Sequence, residues 1–246
     1  MGIIEVRGVS KAFSIPTERR DTVREHLFGL LRPRAITRLQ VLDQVSFHVE
    51  RGEALGIMGR NGSGKSTLLK IISGVYTPDS GQVRSRADIT PILELGVGWN
   101  PELDAIDNVM LIGALLGRSL AEIRAGLREI LAFAEVERFA HLKLKHFSSG
   151  MSARLAYAVA FHAVRDVLVL DEVFAVGDAG FRAKCERRYW DLRSRGRTVI
   201  IVSHDPRTIA AFCDRALLLD SGRVMMDGPA PAVADRYVSL LTEQVT

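Results

Sequence analysis

Cysteine is scarce in this chain: Cys185 and Cys213 are its only two. They fit no metal or redox spacing, and two thiols make no disulfide scaffold, so both are expected to be reduced packing residues. Long apolar runs are also missing. The longest, VMLIGALLG at 109–117, is bounded by Asp104, Asp107 and Arg118, well short of the ~20 residues that span a bilayer. The start, MGIIEVRGVSKAF, carries an acid at Glu5 and no small-residue cleavage site, so no signal peptide is read there and a cytoplasmic address is expected. No internal repeat or low-complexity tract is evident. Nor is one sign of charge in large excess: 33 Lys and Arg against 29 Asp and Glu leave +4. That permits contact with a membrane surface or a nucleic acid but requires neither. What remains is 246 residues, 47% hydrophobic and 25% charged, ordinary for a folded chain with a substantial core.

Pattern gives the organisation. IIEVRGVSKAF alternates and reads as a strand; VLDQVSFHVERG (41–52) reads as a second, ending in a turn. EALGIMG is a short apolar run, followed by GRNGSGKST and then LLKIISGV at helical spacing. VLVLDE (167–172) and TVIIVSH (198–204) are buried-strand patterns, each followed by a helix. RALLLDSGRVMMDG reads as a hairpin around Ser221-Gly222, and PAVADRYVSLL as a closing helix. Apolar runs without alternation, separated by helices, predict a parallel sheet covered on both faces. The segment from about 85 to 165 lacks strand character and is expected to be a helical insertion. Within it Ser119 and Glu122 have capping-box spacing.

GRNGSGKST (59–67) fits G-x-x-x-x-G-K-[ST], with Gly59, Gly64, Lys65 and Ser66 at the fixed positions. Glycines let the backbone wrap a phosphate with its N–H groups pointing inward. The following helix aims its positive end at the same anion. Asn61, Gly62, Ser63 and Thr67 complete the wrapping segment. Lys65 is expected to reach the β- and γ-phosphates, and the Ser66 hydroxyl to ligate Mg²⁺. An apolar strand before and an amphipathic helix after are the context this mechanism needs, which a chance glycine turn does not supply.

Asp171 and Glu172 end a buried strand. Carboxylates at the C-terminal end of a parallel strand sit at the usual ligand edge. Asp171 is expected in the Mg²⁺ shell and Glu172, pointing the other way, at the attacking water as general base. His204 ends the next apolar strand, at the same edge. It is either a packing residue or a contact to the γ-phosphate or to Glu172.

KHFSSGMSARL (145–155) holds nothing that resembles a catalyst. Ser148, Ser149 and Gly150 offer hydroxyl and backbone donors at a helix start, an anion site. With one set of phosphates already wrapped, a second such site is redundant in a monomer. It makes sense if it serves the nucleotide of another subunit.

Taken together, these motifs resemble the ATP-binding subunits of ABC transporters, over nearly the whole chain. Phe147 to Met151 match the signature usually written LSGGQ, with Phe for Leu, Ser149 for the first Gly and Met151 for Gln. The resemblance implies an α/β P-loop NTPase core with a parallel sheet, an antiparallel β subdomain and an inserted helical subdomain, all one ATPase domain over 1–246. It implies ATP and Mg²⁺, two nucleotides sandwiched in a homodimer, Phe13 stacking on adenine, and Asp178 in FAVGD (174–178) as the D-loop aspartate. Glu94, in ILELGVGWNPELDAIDN, stands near the family's glutamine. A carboxylate there can still ligate Mg²⁺ but adds negative charge beside a triphosphate.

SSGM, ELGVGWNPEL and AVGD resemble the branch that exports polysaccharides such as O-antigen, capsule and teichoic acid. That implies a separate polytopic permease, a lipid-linked glycan handled by it, no nucleic acid, and a place at the cytoplasmic face of the inner membrane. Residues 14–40 agree, with six arginines against three acids and Val23, Leu27, Leu30 and Leu31 on one helical face. From pattern alone this is equally an ordinary surface helix; the branch resemblance favours a membrane-facing insertion. No long carbohydrate-recognising domain is expected after YVSLL. The competing readings are an ABC ATPase for another cargo (lipid, drug or peptide), a soluble ABC ATPase acting on ribosomes or DNA, and an unrelated P-loop kinase or GTPase.

Overall fold

The computed structural model describes residues 2–16, 36–92, 98–171 and 178–243. Glu94, Glu172, residues 174–177 of FAVGD and the basic helix proposed between Val23 and Leu31 lie outside the described residues. In chain order the strands and helices are β1 (Ile4–Pro16), β2 (Ile36–Val49), β3 (Ala54–Met58), α1 (Lys65–Ile72), β4 (Ser80–Ser85), β5 (Ile89–Ile92), α2 (Ala105–Leu115), α3 (Leu120–Ala134), α4 (Ser149–Ala163), β6 (Val167–Asp171), α5 (Ala179–Ser194), β7 (Thr198–Val202), α6 (Pro206–Phe212), β8 (Arg215–Asp220), β9 (Arg223–Pro229) and α7 (Ala230–Glu243).

Among the described residues the strands make two sheets. A three-stranded antiparallel sheet runs β2-β1-β4, and a six-stranded sheet runs β5-β6-β7-β3-β8-β9. In the larger sheet β5, β6, β7, β3 and β8 are parallel, and β9 returns antiparallel from β8. The central strands β3, β6 and β7 bury both faces, which is why their sequences are nearly unbroken apolar runs. Leu55, Ile57, Val167, Val169, Ile200, Val202, Leu217 and Leu219 face one core, shared with α1 and the smaller sheet. Met58, Leu168, Leu170, Val199, Ile201, Ala216 and Leu218 face the other, covered by residues of α4 to α7. Each such Leu, Ile or Val contributes about 1.5–3 kcal/mol of transfer free energy.

Helices α2, α3 and α4 build a third cluster around Val109, Ile123, Ile130, Leu155 and Val159. The capping box at the start of α3 is present: Ser119 Oγ accepts from Glu122 N at 3.2 Å, and the Glu122 carboxylate accepts from Ser119 N at 2.8 Å. The hairpin around Ser221-Gly222 is also present, with positive φ at both residues (47° and 77°), as a tight turn between right-twisted strands requires.

Two expectations need correction. The segment 85–165 is not purely helical, because β5 lies within it and pairs parallel with β6. At four residues, ITPI, β5 is too short to show a period, and Pro91 argues against a central strand. It is the edge strand, where the missing N–H costs no ladder bond. The stretch 14–40 is not all insertion either. β1 continues to Pro16 and β2 begins at Ile36, with Ser14 opposite Arg38 and Ile15 opposite Thr37, so its flanks form an antiparallel ribbon.

Candidate nucleotide site

The loop after β3 is shaped by contacts from far along the chain. Gly59 has φ 154°, and a Cβ there would overlap the Leu219 carbonyl oxygen. Gly64, φ 103°, lies where a Cβ would meet Leu42 Cδ2 and the Val41 carbonyl oxygen, each at 2.7 Å. Gly222 N donates to Ser63 O at 3.1 Å, and Gly222 O accepts from Asp43 N at 2.9 Å. The β8–β9 turn thus wedges between the loop and β2.

Helix α1 starts at Lys65 with no side-chain cap and no acid in its first turn. Its first N–H groups therefore lack an intrahelical acceptor, and the helix dipole adds positive potential there. Lys65 is buried, its ammonium donating to Gly59 O at 2.7 Å and Arg60 O at 2.9 Å. It is folded into the loop rather than extended away from it. Ser63 Oγ is buried beside Gly59 without a hydrogen-bond partner, an orphaned polar atom inside the cradle. Asn61, Gly62 and Ser66 are exposed and Thr67 is half-buried. Uncapped amides, a buried cation and open space are what an anion of high charge requires.

The register of the large sheet brings the carboxylate edge alongside. Asp171 on β6 is level with Val202 on β7, and Val202 is level with Ile57 on β3. Two strand spacings, about 10 Å, separate Asp171 from the β3 chain just before the loop. Asp171 is half-buried. Ser203 follows β7, buried, with its N–H donating to Ile57 O at 3.3 Å and its Oγ accepting from Asp205 N at 3.1 Å. His204 comes next and is exposed, at the edge where the sequence placed it.

Phe13 lies on β1, half-buried, edge-on to Tyr76 with ring centroids 5.7 Å apart. Lys11 Nζ is 5.7 Å from the Phe13 ring and donates to Asp79 at 2.8 Å. Lys11 pairs with Leu42, the residue that touches Gly64. Phe13 is two residues further along, about 7 Å of strand, so the aromatic pair sits beside the phosphate loop. Nothing in the sequence singles out Tyr76 or Asp79. They are over sixty residues from Phe13, and no local pattern links them.

The FSSGM segment is a helix start. Ser148 is the N-cap of α4, its Oγ accepting from Met151 N at 3.2 Å. Ser148 and Ser149 are exposed, and no acid occupies the first turn. The N–H groups of Ser149 and Gly150 precede any intrahelical acceptor. Around Gly150 there is open space among the described residues: of these, a Cβ would find only Ser148 Oγ, at 3.9 Å. None of the described residues demands glycine there. Asp178 caps α5, Oδ1 accepting from Phe181 N at 2.9 Å. That backbone bond, aided by the Arg154 guanidinium, holds its carboxyl below the usual range. Cys185 and Cys213 are buried free thiols, as expected.

A family model described as ABC transporter matches residues 42–175, more than half of the chain. The chain belongs to the ABC transporter family. This ABC cassette is 41% identical to the ABC transporter protein AbcA of Aeromonas salmonicida, over 97% of its own length and 77% of that protein's. It is 37% identical to the O-antigen export system ATP-binding protein RfbB of Klebsiella pneumoniae, over 85% and 84% of the two chains. With the teichoic acids export ATP-binding protein TagH of Lactiplantibacillus plantarum the identity is 35%, over 95% of this chain but 64% of that one. Among solved structures, a dimeric ATP-binding cassette in a post-hydrolysis state with ADP and Pi superposes with a TM-score of 0.74 at 25% identity, over 92% of this cassette and 98% of that chain. Family and α/β P-loop fold are those the sequence resemblance implied. Among the described residues no helix is long and apolar enough to cross a membrane.

Proposed function

We propose that this cassette is the ATP-hydrolysing subunit of an exporter for a lipid-linked polysaccharide, working as a homodimer beneath a separate polytopic permease at the cytoplasmic face of the inner membrane. The observation that carries the chemistry is the uncapped start of α1, with Lys65 drawn into the loop and Ser63 Oγ left without a partner. On this reading residues 1–246 form one ATPase domain, with 14–40 as its basic insertion and the part between about 85 and 165 as mostly its helical subdomain. The cargo rests on the relatives named for O-antigen and teichoic acid export.

In the proposed mechanism, Gly59, Asn61, Gly62, Ser63, Gly64 and Thr67 wrap the phosphates, and Lys65 exchanges its carbonyl acceptors for β- and γ-oxygens. Phe13 stacks on the adenine. Ser148, Ser149 and Gly150 of one protomer close over the γ-phosphate held by its partner, and Asp178 lies at the same junction. Glu172 orients and deprotonates the attacking water, with His204 against the γ-phosphate. Mg²⁺, bound with the nucleotide, would neutralise phosphate charge; Ser66, Asp171 and Glu94 are the hard oxygen donors of this chain that would hold it. The stabilisation is electrostatic, from donors already in place before charge develops.

The test is the Glu172→Gln chain, tagged and extracted in detergent from its native membrane. The expected result is ATP binding as in the unsubstituted chain, turnover reduced by about 10³-fold or more, an ATP-dependent dimer, and an equimolar multi-span protein recovered with it. Turnover near that of the unsubstituted chain removes Glu172 from the base role. Recovery alone, or with ribosomes or DNA, refutes the export reading.

A further inference from the structure

What holds Phe13 is a turn hung from the far end of α1. That helix begins at Lys65 and ends at Ile72. The chain then folds back, with Val75 N and Tyr76 N both donating to Lys70 O, at 2.8 and 3.1 Å. Tyr76 is half-buried against the core shared by α1 and the smaller sheet. Lys70 Nζ lies 5.6 Å from the centre of its ring, and the Phe13 ring meets it at 5.7 Å with the two planes 65° apart. Edge-to-face aromatic pairs prefer a definite orientation, so this contact fixes a tilt as well as a distance.

Asp79 fixes the backbone that carries the ring. β1 changes register against β2 between Val9 and Lys11 and again between Lys11 and Ala12. Its last pair with β4 is Ser10 opposite Ser80. Regular strand pairing is thus interrupted just ahead of Phe13, and the turn fills the interruption. Asp79 Oδ2 accepts from Ala12 N at 2.7 Å, and Asp79 Oδ1 from Lys11 Nζ at 2.8 Å. The same ammonium donates to Thr77 O at 2.9 Å, and Asp79 N donates to Ser10 O at 2.9 Å. The hydrogen bond from Lys11, then that from Ala12 N, holds the Asp79 carboxyl below the usual range. One helix therefore serves both ends of the site. Its start carries Lys65 and the phosphate loop, and the turn after its end grips the strand and ring of Phe13.

We propose that Tyr76 and Asp79 are positioning residues for base stacking: Tyr76 sets the tilt of the Phe13 ring and Asp79 the place of its backbone, so that the platform stands in fixed relation to the phosphate loop before a nucleotide arrives. A platform ordered in advance spares the ordering cost on binding. The proposal rests on the reading of Phe13 as the stacking ring. Neither Tyr76 nor Asp79 touches the nucleotide in this scheme; both act through Phe13.

The experiment compares ATP with inorganic triphosphate, which offers phosphates without a base, each read by displacement of a fluorescent nucleotide from the full chain. Phe13→Ala is expected to weaken ATP by about fivefold to 150-fold and to leave triphosphate within about twofold. Tyr76→Ala is expected to weaken ATP by about threefold to tenfold, again with triphosphate within about twofold. Tyr76→Phe keeps the ring and is expected to bind ATP within about twofold of the unsubstituted chain. In the Phe13→Ala background, Tyr76→Ala is expected to cost no more than about twofold further, because the ring it orients is gone. Asp79→Ala is expected to follow Tyr76→Ala on both probes and in that background. Unchanged ATP affinity in Tyr76→Ala or in Asp79→Ala removes that residue from the role. Equal losses for ATP and triphosphate, or losses that multiply in the Phe13→Ala background, overturn the proposal, since the substitutions then act on the phosphate loop or the fold. Where an alanine variant does not fold, Tyr76→Leu or Asp79→Ser takes its place with the same criteria. Phe13→Ala binding ATP as the unsubstituted chain does refutes the stacking reading and this proposal with it, whereas ATP weakened by Phe13→Ala alone refutes only this proposal.

Discussion

Replacing Gly150 separates what the helix start does for its own chain from what it does for another. Among the described residues of the isolated cassette an added methyl meets nothing closer than Ser148 Oγ at 3.9 Å. Gly150 sits in the first turn of α4, and Ala in place of Gly in a helix gains about 0.5–1 kcal/mol. For a domain of this size that is a rise in Tm of about 1–4 °C. In the proposed closed dimer the same methyl would have to fit between the helix start and a γ-phosphate. Overpacking a tight contact costs about 1–3 kcal/mol, or about 5–150-fold in the closure equilibrium. Gly150→Ala should therefore melt at the same temperature or higher without nucleotide, bind ATP normally as a monomer, and dimerise weakly in the Glu172→Gln background by light scattering. Gly150→Leu should abolish dimerisation outright. A fall of several degrees in Tm without nucleotide would mean that the glycine serves the fold, and full turnover by Gly150→Leu would remove the trans-site argument.

Lys65→Ala should weaken ATP binding by about 10²-fold or more in equilibrium titration, since it removes the cation held inside the loop. Burial pushes both thiols up to about 12 from 9.0, so native Cys185 and Cys213 should alkylate at least about 100-fold more slowly at pH 8.5 than in denaturant. The same raised values put a sign on alkaline stability. The thiols' contribution is whole below pH 9.0 and is lost as pH rises from there to about 12, because only the unfolded chain ionises readily; a melting series across that range reads it.

Patterns confined to one element were legible in the sequence. β3, β6 and β7 are apolar runs because both faces are buried, and the loop after β3 needs its glycines for reasons of backbone geometry alone. Ser148 as N-cap and Ser221-Gly222 as a turn follow from local chemistry as well. What was not legible depends on which distant residues topology brings together. β5 has too few residues to show a period and carries a proline. Tyr76 reaches Phe13 because α1 returns the chain to the smaller sheet. Arg154 looks like any surface arginine until Glu135 and Asp178 arrive beside it from other elements. The ends of 14–40 carry no strand signal in the sequence: Ile15 and Leu39, though in strands, are both exposed and present no buried face.

The wedge of the Ser221-Gly222 turn against the phosphate loop bears on when this protein can first hold a nucleotide. The loop itself leaves the ribosome early, with residues 59–64. Its shape depends on Leu219 and Gly222, and β3 lacks both of its sheet neighbours until β7 is made and one of them until β8 exists. During synthesis at about 5–20 residues per second, the interval between making residue 64 and making residue 222 is about 8–30 s. A nascent chain in that interval displays the full consensus and no working cradle. Nucleotide capture is thus a late event in the birth of the molecule, coincident with completion of its central sheet.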